Sequence, residues 1–99
     1  MEANILKWIE NWYKSNCNGD WEHMYGITIE TLDNPGWDLK IELKDTSLEN
    51  ENRDYVLLDK GEDDWYSWSV KDAVFSAAGD PYKLTKLLEI FKHFVEGKS

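Results

Sequence analysis

Residues 37–43, WDLKIEL, alternate without a break: Trp37, Leu39, Ile41 and Leu43 fall on one side of an extended chain, and Asp38, Lys40 and Glu42 on the other. Successive side chains of a strand point to opposite faces. A strand written this way has one wet face and one that must be covered. That calls for an antiparallel sheet with a second layer packed on one side, not a sheet buried on both.

The two ends of the chain supply that layer. Over residues 3–16, Ile5, Ile9, Trp12 and Tyr13 recur at helical spacing, Leu6 and Trp8 widen the stripe, and Lys7, Glu10, Asn11 and Lys14 fall largely opposite. Asn18 and Gly19 supply a stop. At the other end, Asp80 is placed to cap a helix with Pro81 in its first position. Leu84, Leu87, Leu88, Phe91, Phe94 and Val95 continue it as an apolar stripe, His93 sits at the boundary, and Gly97 ends it.

Between the helices the pattern is extended. Residues 25–32, YGITIETL, read as a strand with Ile27 and Ile29 on one face. In DNPGW, Pro35 and Gly36 suit the central positions of a type II turn, with Gly36 taking the positive φ. A polar loop, 44–54, leads to a strand at 55–59, and KGEDD turns into a strand at 65–70 with Tyr66, Trp68 and Val70 on one face. A turn at Lys71-Asp72 gives a fifth strand at 73–78. The expected fold class is therefore α+β and two-layered, in the order α-β-β-β-β-β-α. A five-stranded, mostly antiparallel sheet carries the N-terminal and C-terminal helices on the face of Ile27, Ile29, Leu39 and Ile41. The other face, with Thr28, Glu30, Asp38, Lys40 and Glu42, is left open and acidic. Residues 1–99 read as a single domain, long enough for one modest core.

Charge narrows the partners. Residues 20–64 hold 14 Asp/Glu against 4 Lys/Arg, a net of −10, while the remainder nets +1, which accounts for the total of −9. Such a surface repels nucleic acid and membrane phosphate and attracts a basic partner. The single cysteine excludes an intramolecular disulfide and fits a reducing compartment. The start, MEANILKWIENWYKSN, lacks the basic and apolar regions of a signal peptide, and no apolar run approaches a membrane span. A soluble, cytoplasmic protein is expected.

GDWEHMYG, residues 19–26, is the stretch richest in reactive side chains, with Cys17 just ahead of it. Cys17, Asp20, Glu22 and His23 are possible metal ligands, but the paired CxxC or HxxxH spacing of a zinc site is missing, so no metal is expected. A thiolate nucleophile at Cys17, paired with His23 or His93, meets acidic neighbours that disfavour the thiolate. The contiguous carboxylates Glu62, Asp63 and Asp64 read as a solvated turn, and general acid/base work needs a pocket this fold has little room for. No phosphate-binding glycine loop and no basic aromatic groove is present. No catalytic residue and no cofactor is expected. Of the six tryptophans, Trp8, Trp12, Trp37 and Trp68 fall on inner faces as core. Trp65, beside three carboxylates, suits either an interface anchor with a charged rim or a lid on the sheet end.

Several of these residues together resemble a known family. A helix carrying Trp8, Trp12 and Tyr13 is followed by Cys17, Gly19-Asp20-Trp21-Glu22-His23, Gly26, Ile27 and Ile29. Then come Thr31 to Trp37 (TLDNPGW), Ile41, Leu43, Thr46 and the pair Asp64-Trp65 ahead of a strand. This is similar to the bacterial immunity protein 53 family over nearly the whole chain, and GDWEH followed by TLDNPGW is the specific pairing. The resemblance implies a role in polymorphic-toxin or contact-dependent inhibition systems: binding a toxin domain delivered by sibling cells and blocking it in the cytoplasm. It brings no catalytic residues with it.

An acidic chain without an evident active site suits stoichiometric inhibition of a toxin with a basic cleft, a nuclease, and an RNase ahead of a DNase. The expected toxin-facing residues are Asp20, Glu22, Glu49, Glu51, Asp54, Glu62, Asp63 and Asp64, with Trp65 as anchor. Trp21, His23, Pro35, Gly36 and Trp37 are expected to be structural, with GDWEH as a corner in which Gly19 and Gly26 permit sharp turns. The free protein is expected to be a monomer. The rival readings are a small enzyme using Cys17 and His23, and a small-ligand module stacking its ligand on tryptophan.

Overall fold

The computed structural model describes residues 4–97. In chain order they form α1 (Ile5–Asn16), α2 (Trp21–Met24), β1 (Ile27–Leu32), β2 (Gly36–Glu42), β3 (Arg53–Asp59), β4 (Trp65–Lys71), β5 (Val74–Gly79) and α3 (Leu84–Val95). The expected start of the first helix at residue 3 lies outside the described residues.

The strands make one sheet in the order β1-β2-β5-β4-β3, with every neighbouring pair antiparallel. The α+β reading and its element order hold, with one addition, the short helix α2. The register sets rows of side chains across the sheet. Ile29, Leu39, Ala77, Trp68 and Val56 share one row, and Ile27, Ile41, Phe75 and Val70 share the next. These rows make the covered face, and Thr28, Glu30, Asp38 and Lys40 pair with one another on the opposite one.

The core joins Leu39, Ile41, Leu43, Val70, Phe75 and Ala77 of the sheet side to Leu87, Leu88, Ile90, Phe91 and Phe94 of α3. α3 is thus the helix that seals the sheet. α1 has no fully buried residue and reaches the core with one face, through Ile5, Trp8, Ile9 and Trp12. Trp8, Trp12, Trp37 and Trp68 pack against the core as expected of inner-face residues, each partly buried. Two helices do not span five strands, so the edge strands are left uncovered even on the inner face: Ile29 of β1 and Leu58 of β3 are exposed.

Three local readings change. Gly36 is not the positive-φ residue of a Pro-Gly turn. It is the first residue of β2, paired with Leu32, and the turn is made by residues 33–35. Glycine is needed there because a Cβ on Gly36 would collide with the Gly79 carbonyl oxygen of the neighbouring strand. Gly36→Ala is therefore expected to destabilise by about 1–3 kcal/mol, the range for forcing extra atoms into a filled space, read as a lower urea midpoint at unchanged m-value. An unchanged midpoint would mean that β2 and β5 separate easily at this end.

Asp80 does not cap α3, which begins at Leu84 with Lys83 in the capping position. Asp80 is instead fully buried at the base of the turn before it. Gly19 has a positive φ of 96° as a corner requires, whereas Gly26 does not and has open space around it. At the far end Gly97, at φ 78°, stops α3, its N–H bonded to the Phe94 carbonyl.

Candidate functional site

The sheet order divides the sequence-expected contact residues between its two ends. The turns 33–35 and 60–64 and the β5–α3 connection lie at one end. The β4–β5 turn, where Asp72 and Ala73 both have positive φ, and the 43–52 loop lie at the other. Glu62, Asp63, Asp64 and Trp65 belong to the first end, and Glu49 and Glu51 to the second. Asp54 stands near the start of β3, the strand that joins the two ends. Seven residues of extended chain put these groups about 20 Å apart along that strand.

At the first end the sequence stretch EDDW becomes a turn tied to the body of the protein. The Trp65 N–H donates to Asp80 Oδ2 at 2.8 Å, the Tyr82 N–H to Asp80 Oδ1 at 2.8 Å, and the Lys83 ammonium to Asp80 Oδ2 at 2.8 Å. Lys83 also reaches Asp64 Oδ1 at 3.0 Å. Burial pushes the Asp80 carboxyl up, but Lys83 and the two N–H groups outweigh it and hold the group below its ordinary range. Lys83 is held above its own ordinary value, first by Asp80 and then by Asp64. Beyond this node Glu62 and Asp63 are exposed. Together with Asn34, Pro35, Asp59 and Gly61 they line a shallow cleft beside the partly buried Trp65. Trp37 closes the same end from the covered side, its indole N–H donating to the Pro81 carbonyl at 2.9 Å.

At the second end the carboxylates are engaged within the chain. Lys44 pairs with Glu49 at 2.8 Å, and Arg53 pairs with Glu51 at 3.0 Å while lying 5.1 Å from the centre of the Phe94 ring. The Lys44 ammonium foremost, then the Asp45 N–H, holds Glu49 below the usual carboxylate range.

GDWEHM forms the corner between α1 and β1. The Asn18 side-chain oxygen accepts from the N–H groups of Asp20 and Trp21 at 2.9 and 3.0 Å. In return the Glu22 carboxylate accepts from the N–H groups of Asn18 and Gly19 at 3.0 and 2.9 Å. These reciprocal bonds satisfy four successive N–H groups of the corner, from Asn18 to Trp21, the last being the first residue of α2. Glu22's own N–H, then, against some desolvation, those of Asn18 and Gly19, and the nearby His23, hold its carboxyl below the ordinary range. Trp21 is 2% exposed, meets Trp12 edge-on at 6.0 Å, and donates its indole N–H to the Lys44 carbonyl at 3.0 Å. It therefore pins the corner to the 43–52 loop. His23 and Asp20 are exposed, and Cys17 Sγ sits 3.4 Å from the Tyr13 carbonyl at the end of α1. Among the described residues, no group of three or more His, Cys, Asp and Glu is gathered as a metal site requires, and no helix is long and apolar enough to cross a membrane.

Sequence reasoning passed over two features here. One is the part Asp80 plays in anchoring the Trp65 turn, which its reading as a helix cap concealed. The other is the exposed apolar run on β3, Tyr55-Val56-Leu57-Leu58, readable in the sequence as a strand without alternation.

A sheet with helices on one face, an open opposite face and carboxylates on the turns at both ends defines a small α+β protein that displays its side chains outward. The chain belongs to the immunity protein 53 family, which it matches over residues 6–96. Immunity proteins neutralise a cognate toxin, and a toxin is accordingly this protein's partner. No curated protein and no solved structure matches the chain.

Proposed function

We propose that this protein neutralises its toxin by covering it with an acidic surface, stoichiometrically and without catalysis of its own. In this reading the toxin is a nuclease with a basic cleft, an RNase ahead of a DNase, delivered by a polymorphic-toxin or contact-dependent inhibition system. The immunity protein acts on it in the cytoplasm, as a monomer until it binds. The observation that carries this reading is the concentration of the whole acidic excess in residues 20–64, with Glu62 and Asp63 exposed beside the Trp65 cleft. Carboxylates displayed on a turn over an aromatic floor offer a basic cleft a substitute for phosphate. Glu22, Glu49, Glu51 and Asp64, whose carboxylates are already held inside the chain, support the surface charge more than they offer free contacts.

The test is binding to the C-terminal domain encoded by the gene immediately upstream. Glu62→Lys with Asp63→Lys should slow association by about 10-fold or more at low salt and flatten its salt dependence, as loss of electrostatic steering does. An association rate and salt slope equal to those of the parent would remove this turn from the interface. In cells exposed to the toxin, Cys17→Ser with His23→Ala should protect in full. A folded double variant that fails to protect would move the protein to the enzymes.

A further inference from the structure

The strand β3 is the last in the sheet and pairs on one side only, with β4. On it Tyr55, Val56, Leu57 and Leu58 are 66%, 37%, 52% and 44% exposed, so four consecutive apolar residues face water on both sides of the strand. Natural edge strands are blunted by charge, proline or shortness, because a free edge offers unpaired N–H and C=O groups to any extended chain. The opposite edge strand, β1, follows that rule: Thr28, Glu30 and Thr31 lie on it, and Ile29 is its one exposed large apolar residue. β3 is blunted only toward its ends, by a register irregularity between Arg53 and Val56 and by Asp54 and Asp59. A middle left open between acidic ends is what strand addition requires, with main-chain bonds giving affinity and alternate side chains giving choice.

Charge decides the occupant. Residues 49–64 contain seven Asp/Glu and two Lys/Arg, a net of −5. A second copy pairing antiparallel about Val56, the centre of this strand, would set Asp59 opposite Arg53 and Asp54 opposite Leu58, and would bring a second segment of net −5 against the first, which like-charge repulsion opposes. A foreign strand with Lys or Arg opposite Asp54 and Asp59 would instead find a partner for each.

We propose that the toxin docks on the free edge of β3 by strand addition, through an extended segment with apolar residues at alternate positions and basic residues at its ends. This rests on the toxin-neutralising role above and names the backbone that would carry it.

The test uses the full chain with the domain encoded by the gene immediately upstream. Tyr55→Lys with Leu57→Lys places two like charges against the basic strand. Both side chains are exposed in the free protein, so the melting temperature should stay within a few degrees while the toxin complex weakens at least 10-fold. In the parent complex, amide hydrogen exchange over residues 53–59 should slow on binding. Unchanged affinity of the variant together with unchanged exchange over 53–59, in a parent that binds the toxin, overturns strand addition and leaves the neutralising role standing. A parent that does not bind the domain overturns both. A free protein that sediments as a dimer, and becomes a monomer with the two lysines, assigns the edge to a second copy and overturns the proposal.

Discussion

Phe91→Ala should be among the most damaging single substitutions in this chain, lowering stability by about 3–5 kcal/mol, the usual range for truncating a buried aromatic. Phe91 is fully buried and has ring neighbours on several sides: Trp12 at 4.9 Å, Phe75 at 5.0 Å, Trp8 at 6.0 Å and Phe94 at 6.2 Å. The contacts with Trp12, Phe75 and Trp8 are edge-on, the geometry in which aromatic pairs attract beyond their buried area. The special cost is topological. α1 buries no residue completely and meets α3 through Trp8 and Trp12, both of which rest on Phe91. Removing that ring leaves a cavity and also takes away the seat of the first helix. For a domain of this size 3 kcal/mol is about 12 °C or more in Tm, against a total stability of about 5–15 kcal/mol. Thermal and urea melts followed by tryptophan fluorescence would measure it, with a smaller m-value if α1 detaches first. A loss under about 1 kcal/mol, where core truncations run far higher, would mean that α1 is held elsewhere.

The elements that could be read from the sequence are those whose side chains declare their surroundings within one turn or one strand. β2 alternates strictly and appears where expected; α3 carries an unbroken stripe and follows it, although it starts at Leu84 and not at Pro81. What could not be read depends on residues distant in the chain. Pro35-Gly36 has the composition of a type II turn, yet Gly36 is required by Gly79, more than forty positions away, whose carbonyl passes where a Cβ would lie. α2 has only four residues, too few for any periodicity, and is held by the bonds of Asn18 and Glu22 to the backbone of the corner and by the burial of Trp21. The candidate surface shows the same division. Acidity was legible as composition, but composition is silent on which carboxylates find Lys44, Arg53 or Lys83 in the folded chain. The length of β3 separates the acidic residues before it from those after it, into two ends that a linear reading had merged. His23, the most reactive-looking member of GDWEH, is exposed, and the corner is held by its neighbours Trp21 and Glu22.

Asp80→Asn should come next in effect, about 3 kcal/mol, because it breaks a buried charge pair from one side. The carboxylate is fully buried, and its two oxygens together accept three donors. An amide presents one oxygen and one NH2 group, so at least one of those donors would face another donor, and Lys83 would keep its charge with only Asp64 to answer it. The pH dependence identifies the cause. Asp80 is held below its ordinary value in the folded protein. Its contribution is therefore fully present above the unfolded carboxyl pKa of about 4 and is lost as pH falls through the lower folded value. Lys83 is held above its ordinary value, so its contribution is present below the unfolded pKa of about 10.4 and is lost as pH rises through the folded one. Melts from pH 7 down to 2 should show the parent losing stability below about pH 4, and the variant, already lower at neutral pH, losing less over the same range. Glu22 and Glu49 are also held low, so the variant's acid limb should flatten without disappearing. Parallel acid limbs for the two proteins would show that the carboxylate gains nothing from Lys83. The same carboxylate fixes the Trp65 N–H at the base of the turn that displays Glu62 and Asp63. If the toxin docks on this turn as proposed, its association should slow in Asp80→Asn even at temperatures where the variant remains folded, which a purely global loss of stability would not produce.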